Sequence, residues 1–144
     1  MSLRNQRQKE FADVWLNHGK FGILNLCPRF GKIYTSINIL NELKPKTILI
    51  AYPDNKIKDS WQSDFEDRGY DDSNVTYSTH LSLKKLVDNE YDIIIIDEIH
   101  LLSEAQIEAC KDLFSNNACI LGLTGTLAGD TEITLEEELD LHVI

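Results

Sequence analysis

The sequence is short of several things, and each shortage closes a class of explanation. It has three cysteines, Cys27, Cys110 and Cys119, an odd number with no C-x-x-C pair. A disulfide framework or a structural zinc site is therefore not expected, and a reducing cytoplasmic setting is the default. Long hydrophobic runs are missing: the aliphatic run Ile93–Ile96 is far too short to cross a bilayer. No basic-then-apolar segment at the start resembles a secretion signal, so no membrane partner is expected. Internal repeats and low-complexity tracts are absent as well. Positive charge is scarce, with 14 Lys and Arg against 24 Asp and Glu and a formal net charge of -10. That balance argues against a protein coated in positive charge for gripping nucleic acid. What is present suffices for one domain: 144 residues, 42% of them hydrophobic, can fill one core.

The charge is unevenly spread. Residues 1–58 hold ten basic side chains and four acids, a balance of +6. Residues 59–144 hold four bases and twenty acids, a balance of -16. Acidic helices solvating one side of a fold would produce this pattern. So would a positive first third that faces a polyanion.

Helical and strand patterns alternate along the chain. Residues 5–18 read as a helix with Phe11, Val14 and Trp15 on one face, and 21–26 as a short apolar strand. Residues 31–43 read as a helix with Ile37, Leu40 and Leu43 inward, and 47–52 as a buried β-branched strand. Residues 55–68 form a helical pattern with the stripe Ile57, Trp61 and Phe65, stopped by Gly69. A weaker strand at 75–79 and a helix at 81–87 precede the strongest strand, 91–97, which is apolar on both faces. Ser103, with Gln106 three residues later, caps a helix to Phe114, and 119–123 is a further strand. Both tryptophans fall on helix stripes and read as core. The alternation predicts an α/β fold: a central parallel sheet with helices on both faces. Such sheets bind ligands at the carboxyl ends of their strands.

Three groups stand at those ends. After the first strand comes Cys27-Pro28-Arg29-Phe30-Gly31-Lys32-Ile33, opening a helix. A Gly-Lys pair at such a turn suits phosphate: the Gly permits close backbone approach, the ammonium reaches the phosphates, and the helix N-terminus offers free N–H groups. After the strongest strand comes Asp97-Glu98-Ile99-His100. Adjacent carboxylates at a sheet edge can hold Mg²⁺ and accept a proton from attacking water. After the last strand comes Thr124-Gly125-Thr126, whose hydroxyls could bond to the acidic pair. Each group alone also occurs in ordinary loops and turns.

Taken together and in this order, the three groups resemble the superfamily 2 helicases and translocases (the DEAD/DEAH-like, DExH group), and specifically their first RecA-like domain. Residues 27–33 look like motif I, Asp97 to His100 like motif II and Thr124 to Thr126 like motif III. Ile48 to Trp61, with Pro53 after the second strand, looks like motif Ia, and Ser78 and Thr79 sit where the family has a further nucleic-acid-contacting motif. Gln8 resembles the glutamine of the adenine-reading motif. The Pro-Arg-x-Gly-Lys loop is similar to a variant seen in some phage and restriction-type helicases.

The resemblance implies a RecA-like P-loop NTPase domain over residues 1–128. Residues 129–144 would be an acidic segment leading to a second RecA-like domain in cis. ATP would be bound by Gln8, Cys27, Pro28, Arg29, Phe30, Gly31, Lys32 and Ile33, and Mg²⁺ by Asp97. Glu98 and Lys32 would be catalytic. His100, Thr124 and Thr126 would couple the nucleotide site to the rest of the motor. Pro53, Asn55, Lys56, Ser78 and Thr79 would lie along DNA or RNA. The full-length protein would be an ATP hydrolase that moves on or unwinds nucleic acid, with the isolated lobe inactive or very slow. One departure counts against this: Ile33 stands where the family has Thr or Ser, whose hydroxyl ligates Mg²⁺. A RecA-like module that binds a nucleotide or partner without turnover is the alternative.

Overall fold

The computed structural model describes residues 3–26, 31–115, 118–125 and 129–144. Five strands form its sheet: β1 (Phe21–Asn25), β2 (Ile48–Tyr52), β3 (Val75–Thr79), β4 (Ile93–Ile96) and β5 (Cys119–Thr124). All pairings are parallel, in the order β1-β5-β4-β2-β3. β4 is flanked on both sides, with Ile93 opposite Ile48 on β2 and opposite Cys119 on β5. A strand in that position has no wet face, which is why four consecutive isoleucines are tolerated there. All four are fully buried.

Successive residues of a strand point to opposite faces, so one strand feeds two cores. Ile93 and Ile95 join Trp15, Ile37, Ile39, Leu40, Trp61 and Phe65 on one face. Those residues come from α1 (Leu3–Asn17), α2 (Lys32–Leu43) and α3 (Asn55–Asp67). Ile94 and Ile96 join Leu83, Ile107, Cys110, Leu113 and Leu135 on the other face. This second layer is built by α4 (Glu104–Phe114), α5 (Gly129–Leu139) and a 3₁₀ helix (His80–Leu86). The expected architecture, a parallel sheet covered on both faces, is the one observed.

Differences from the sequence reading are local. The helix expected at 81–87 is instead the 3₁₀ helix, a form suited to short connectors. It buries only His80 and Leu83. The strand expected over 91–97 keeps only Ile93–Ile96 in the ladder. Before it, Asp92 donates its N–H to Thr47, and after it, Asp97 donates its N–H to Ala51 O at 2.8 Å. On α1, Trp15 is buried while Val14 is exposed, so the apolar stripe is narrower than its spacing suggested.

The acidic segment 129–144 packs on the same core as the residues before it. Leu135, Leu139 and Leu141 are buried in the second layer. Beyond α5 the chain runs beside β1: Ile23 N–H donates to His142 O and Ile144 N–H to Ile23 O, each at 2.9 Å. Val143 forms an isolated parallel bridge with Ile23.

Candidate functional site

The strand order places the ends of β1, β5 and β4 side by side. The sequence-predicted residues Lys32, Thr124, Asp97 and Glu98 thereby converge, although they are far apart in the chain. Leu26, the last described residue before the loop, donates its N–H to Thr124 O at 2.8 Å, which ties the exit of β1 to that of β5. Cys27, Pro28, Arg29 and Phe30, and likewise Thr126, lie outside the described residues.

α2 begins at Lys32 on the left-handed Gly31 (φ 91°, ψ 54°), with no side chain capping its N-terminus. The two other α-helices whose N-caps are described are capped by side chains. Asp54 accepts from the N–H groups of Lys56 and Ile57 at α3, and Ser103 and Gln106 form the expected capping box at α4. The uncapped start of α2 keeps its positive end available to an anion. Gly31 is required twice over. Its φ favours glycine, and a Cβ there would collide with the side-chain amide of Gln8. Gln8 is itself buried on α1, so the residue expected to read adenine lies against the phosphate-loop glycine.

Lys32 reaches across to the end of β4. Its Nζ ion-pairs with Asp97 Oδ1 at 2.8 Å and donates to Glu98 Oε1. Burial lowers the lysine's proton affinity, but the facing Asp97 and Glu98 carboxylates outweigh it, so its pKa lies above the usual lysine value. Asp97 is completely buried. An uncompensated carboxylate there would be costly, and two groups offset that cost: Lys32 faces Oδ1, and the indole N–H of Trp61 donates to Oδ2 at 2.9 Å. The backbone carbonyl of Asp97 accepts separately from His80 Nε2–H at 2.8 Å. Burial outweighs the neighbouring carboxylates at His80 and lowers its pKa, which favours the neutral ring.

Glu98 holds a left-handed backbone (φ 53°, ψ 47°), an uncommon state for a residue with a Cβ. The turn sends its carboxylate to the same side as that of Asp97, against the alternation of a strand. Glu98 Oε2 lies 3.5 Å from His100 Nε2. The other ring nitrogen, Nδ1, lies 2.8 Å from Thr124 Oγ1. A polar chain thus runs from Thr124 through His100, Glu98, Lys32 and Asp97 to Trp61.

The residues present fit a nucleoside triphosphate with Mg²⁺. Gly31 and the open helix start can receive phosphate. Asp97 Oδ1 already faces a cation, and Mg²⁺ is commonly held by one or two carboxylates plus phosphates and water. The Ile33 departure stands: its side chain is partly buried and packs against the core of the first face. The nearby hydroxyls do not replace the missing one. Thr35 Oγ1 donates to Gly31 O at 3.1 Å and Ser36 Oγ to Lys32 O at 2.9 Å, both back into the helix.

The residues expected along nucleic acid gather elsewhere, at the ends of β2 and β3. Asn55, Ser78 and Thr79 line a pocket of about 480 Å³ together with Lys58, Ser82 and Lys85. Pro53 and Lys56 are not among its lining residues, and Lys56 is exposed on the first turn of α3. Sequence reasoning did not place Lys58 and Lys85 in this pocket, nor Trp61 and His80 against Asp97. The Trp61 stripe reading was right about burial and silent about the indole N–H.

Comparison with known proteins bears on the fold that carries these residues. Residues 75–129, which include β4, the acidic pair and β5, match the family model described as Type III restriction enzyme, res subunit. No curated protein matches the chain in sequence. The UvsW helicase from bacteriophage T4 is similar in structure, with a TM-score of 0.73 and 19% identity over 93% of this chain and 58% of that one. The Hef helicase domain of Pyrococcus furiosus gives 0.72 and 13%, over 94% and 36%. The Sulfolobus solfataricus SWI2/SNF2 ATPase core in complex with dsDNA gives 0.65 and 21%, over 86% and 31%. At these identities the likeness is one of fold. The chain spans 31% to 58% of the length of these three solved structures.

Proposed function

We propose that this chain, whose fold is RecA-like, is the ATP-binding lobe of a nucleic-acid-dependent ATPase of the superfamily 2 helicase type. The observation that carries the reading is the Lys32 ion pair, which bridges the uncapped start of α2 to Asp97 and Glu98. One ammonium holds two carboxylates in the space a polyphosphate with its cation would take.

In this reading, ATP draws Lys32 off the carboxylates and onto the β- and γ-phosphates. Gly31 lets the backbone approach them, and Gln8 and residues 27–30 with Ile33 complete the nucleotide contacts. Asp97 Oδ1 is then free to hold Mg²⁺. When bound, the metal would neutralise charge developing on the transferred phosphoryl group. Glu98 Oε1, released from Lys32, orients the attacking water and takes its proton. His100 Nε2 steadies Glu98 from the other side, and Thr124 fixes the ring through Nδ1. That couples the acidic pair to β5 and to Thr126 beyond it. DNA or RNA lies along the β2 and β3 ends, against Pro53, Asn55, Lys56, Ser78 and Thr79. A second RecA-like lobe in cis would supply an arginine, a contribution of about 10³ to 10⁵ in rate. The isolated lobe accordingly binds nucleotide weakly and turns it over negligibly.

The test is ATP hydrolysis by the full-length protein with and without DNA or RNA. Stimulated turnover is expected in the wild type and is lost in Lys32→Ala and Glu98→Gln. Turnover that survives both changes would refute the site. Ile33, with Thr35 and Ser36 bonded back into α2, favours the second reading, a nucleotide-binding module without turnover. Binding without hydrolysis in the full-length wild type would select it.

A further inference from the structure

The two carboxylate oxygens of Asp97 have different partners: Oδ1 faces Lys32 and Oδ2 faces Trp61. Its indole is fully buried on α3 and donates to Oδ2 at 2.9 Å, 36 positions away in sequence. With Oδ2 committed to that N–H, Oδ1 is left toward Lys32. The ring itself is clamped by Phe65 on the same helix, at 5.9 Å between centroids. A carboxylate beside a strand end could otherwise swing about its terminal torsion, which is soft for Asp.

We propose that Trp61 is a positioning residue. It holds the Asp97 carboxylate in the rotamer that presents Oδ1 to the cation accompanying a bound nucleotide. The inference rests on the nucleotide-binding reading above and goes beyond it. It assigns a function to a tryptophan that packing alone would also bury. α3 thereby acquires a second role: its first turns carry Asn55 and Lys58 to the pocket at β2 and β3, and its middle holds the metal-facing carboxylate.

The protein supplies its own control. Trp15, the other tryptophan, is equally buried, but its indole donates to a backbone carbonyl, Ile120 O, at 3.1 Å rather than to a carboxylate. The experiment follows the two indole N–H resonances and the Gly31 and Lys32 amides of the ¹⁵N-labelled 144-residue chain. ADP is added first, then Mg²⁺. ADP should shift Gly31 and Lys32. Mg²⁺ should then move the Trp61 indole and leave that of Trp15 in place. Calorimetry adds a second arm. Trp61→Phe keeps the ring but removes the donor, and should cut the Mg²⁺ enhancement of ADP affinity about tenfold, the scale of one hydrogen bond to a charged group. Its metal-free ADP affinity should be unchanged. Trp15→Phe, which removes the other buried indole donor without touching Trp61 or Asp97, should lower the melting temperature and keep the Mg²⁺ enhancement. An unshifted Trp61 indole, or full Mg²⁺ enhancement in Trp61→Phe, overturns the proposal while the nucleotide reading survives. If ADP leaves Gly31 and Lys32 unmoved, the nucleotide reading falls and this proposal with it.

Discussion

Cys110 and Asp97 are both completely buried, yet burial serves them differently. Cys110 sits among aliphatic side chains of the second layer, and desolvation alone pushes its thiol up to about 12. It stays protonated and inert at neutral pH, because the thiolate is the reactive form. Native alkylation at pH 8 followed by peptide mass mapping should leave Cys110 unmodified, and unfolding in urea should make it fully reactive. Rapid native labelling would contradict this placement. Asp97, by contrast, is met by an ammonium, an indole and, at its carbonyl, an imidazole. The reactive members of this group were legible in the sequence because Gly31-Lys32 and Asp97-Glu98 are contiguous pairs at strand ends. Trp61 and His80 were not. Their partner lies 36 and 17 positions away, and only the lateral order of the strands brings them to it. The left-handed Glu98 was equally invisible, since glutamate carries no sequence mark of positive φ.

At the level of elements, the strands were readable because each is a compact apolar run, and α4 because Ser103 and Gln106 announce its start. α5 was not readable as part of the core. Only Leu135 and Leu139 of it are buried, while Ile133, the third large apolar residue, is exposed. A two-residue stripe in a run of acids reads as a solvated segment. The 3₁₀ helix escaped for a related reason, since a short leucine pattern does not separate the two helical forms. The account makes a paired prediction for α5. Leu135→Ala should cost about 2–5 kcal/mol in chemical denaturation, as for a buried leucine. Ile133→Ala, on the exposed side, should change stability by less than about 0.5 kcal/mol. Equal and small effects would mean that α5 does not belong to the core.

For the whole molecule, the net charge of -10 at first argues against a polyanionic ligand. Its distribution removes the objection. The first 58 residues, balanced at +6, hold the Gly31–Lys32 helix start and Asn55 and Lys58 of the β2–β3 pocket. Five of the six acids of 129–144 lie on α5, whose buried leucines pack on the opposite face of the sheet from α1, α2 and α3. A fold of this kind places its ligands at the strand ends, and there local charge outweighs the total. The central claim is that Lys32, now held by Asp97 and Glu98, is the group that receives phosphate. It is tested most directly by calorimetric titration of the 144-residue chain with ADP and Mg²⁺, wild type against Lys32→Ala, with folding of both checked by circular dichroism. The account predicts weak but measurable binding by the wild type and a loss of about tenfold or more in the variant, from removal of a charged hydrogen-bond donor. Equal affinity in the two folded proteins would contradict it.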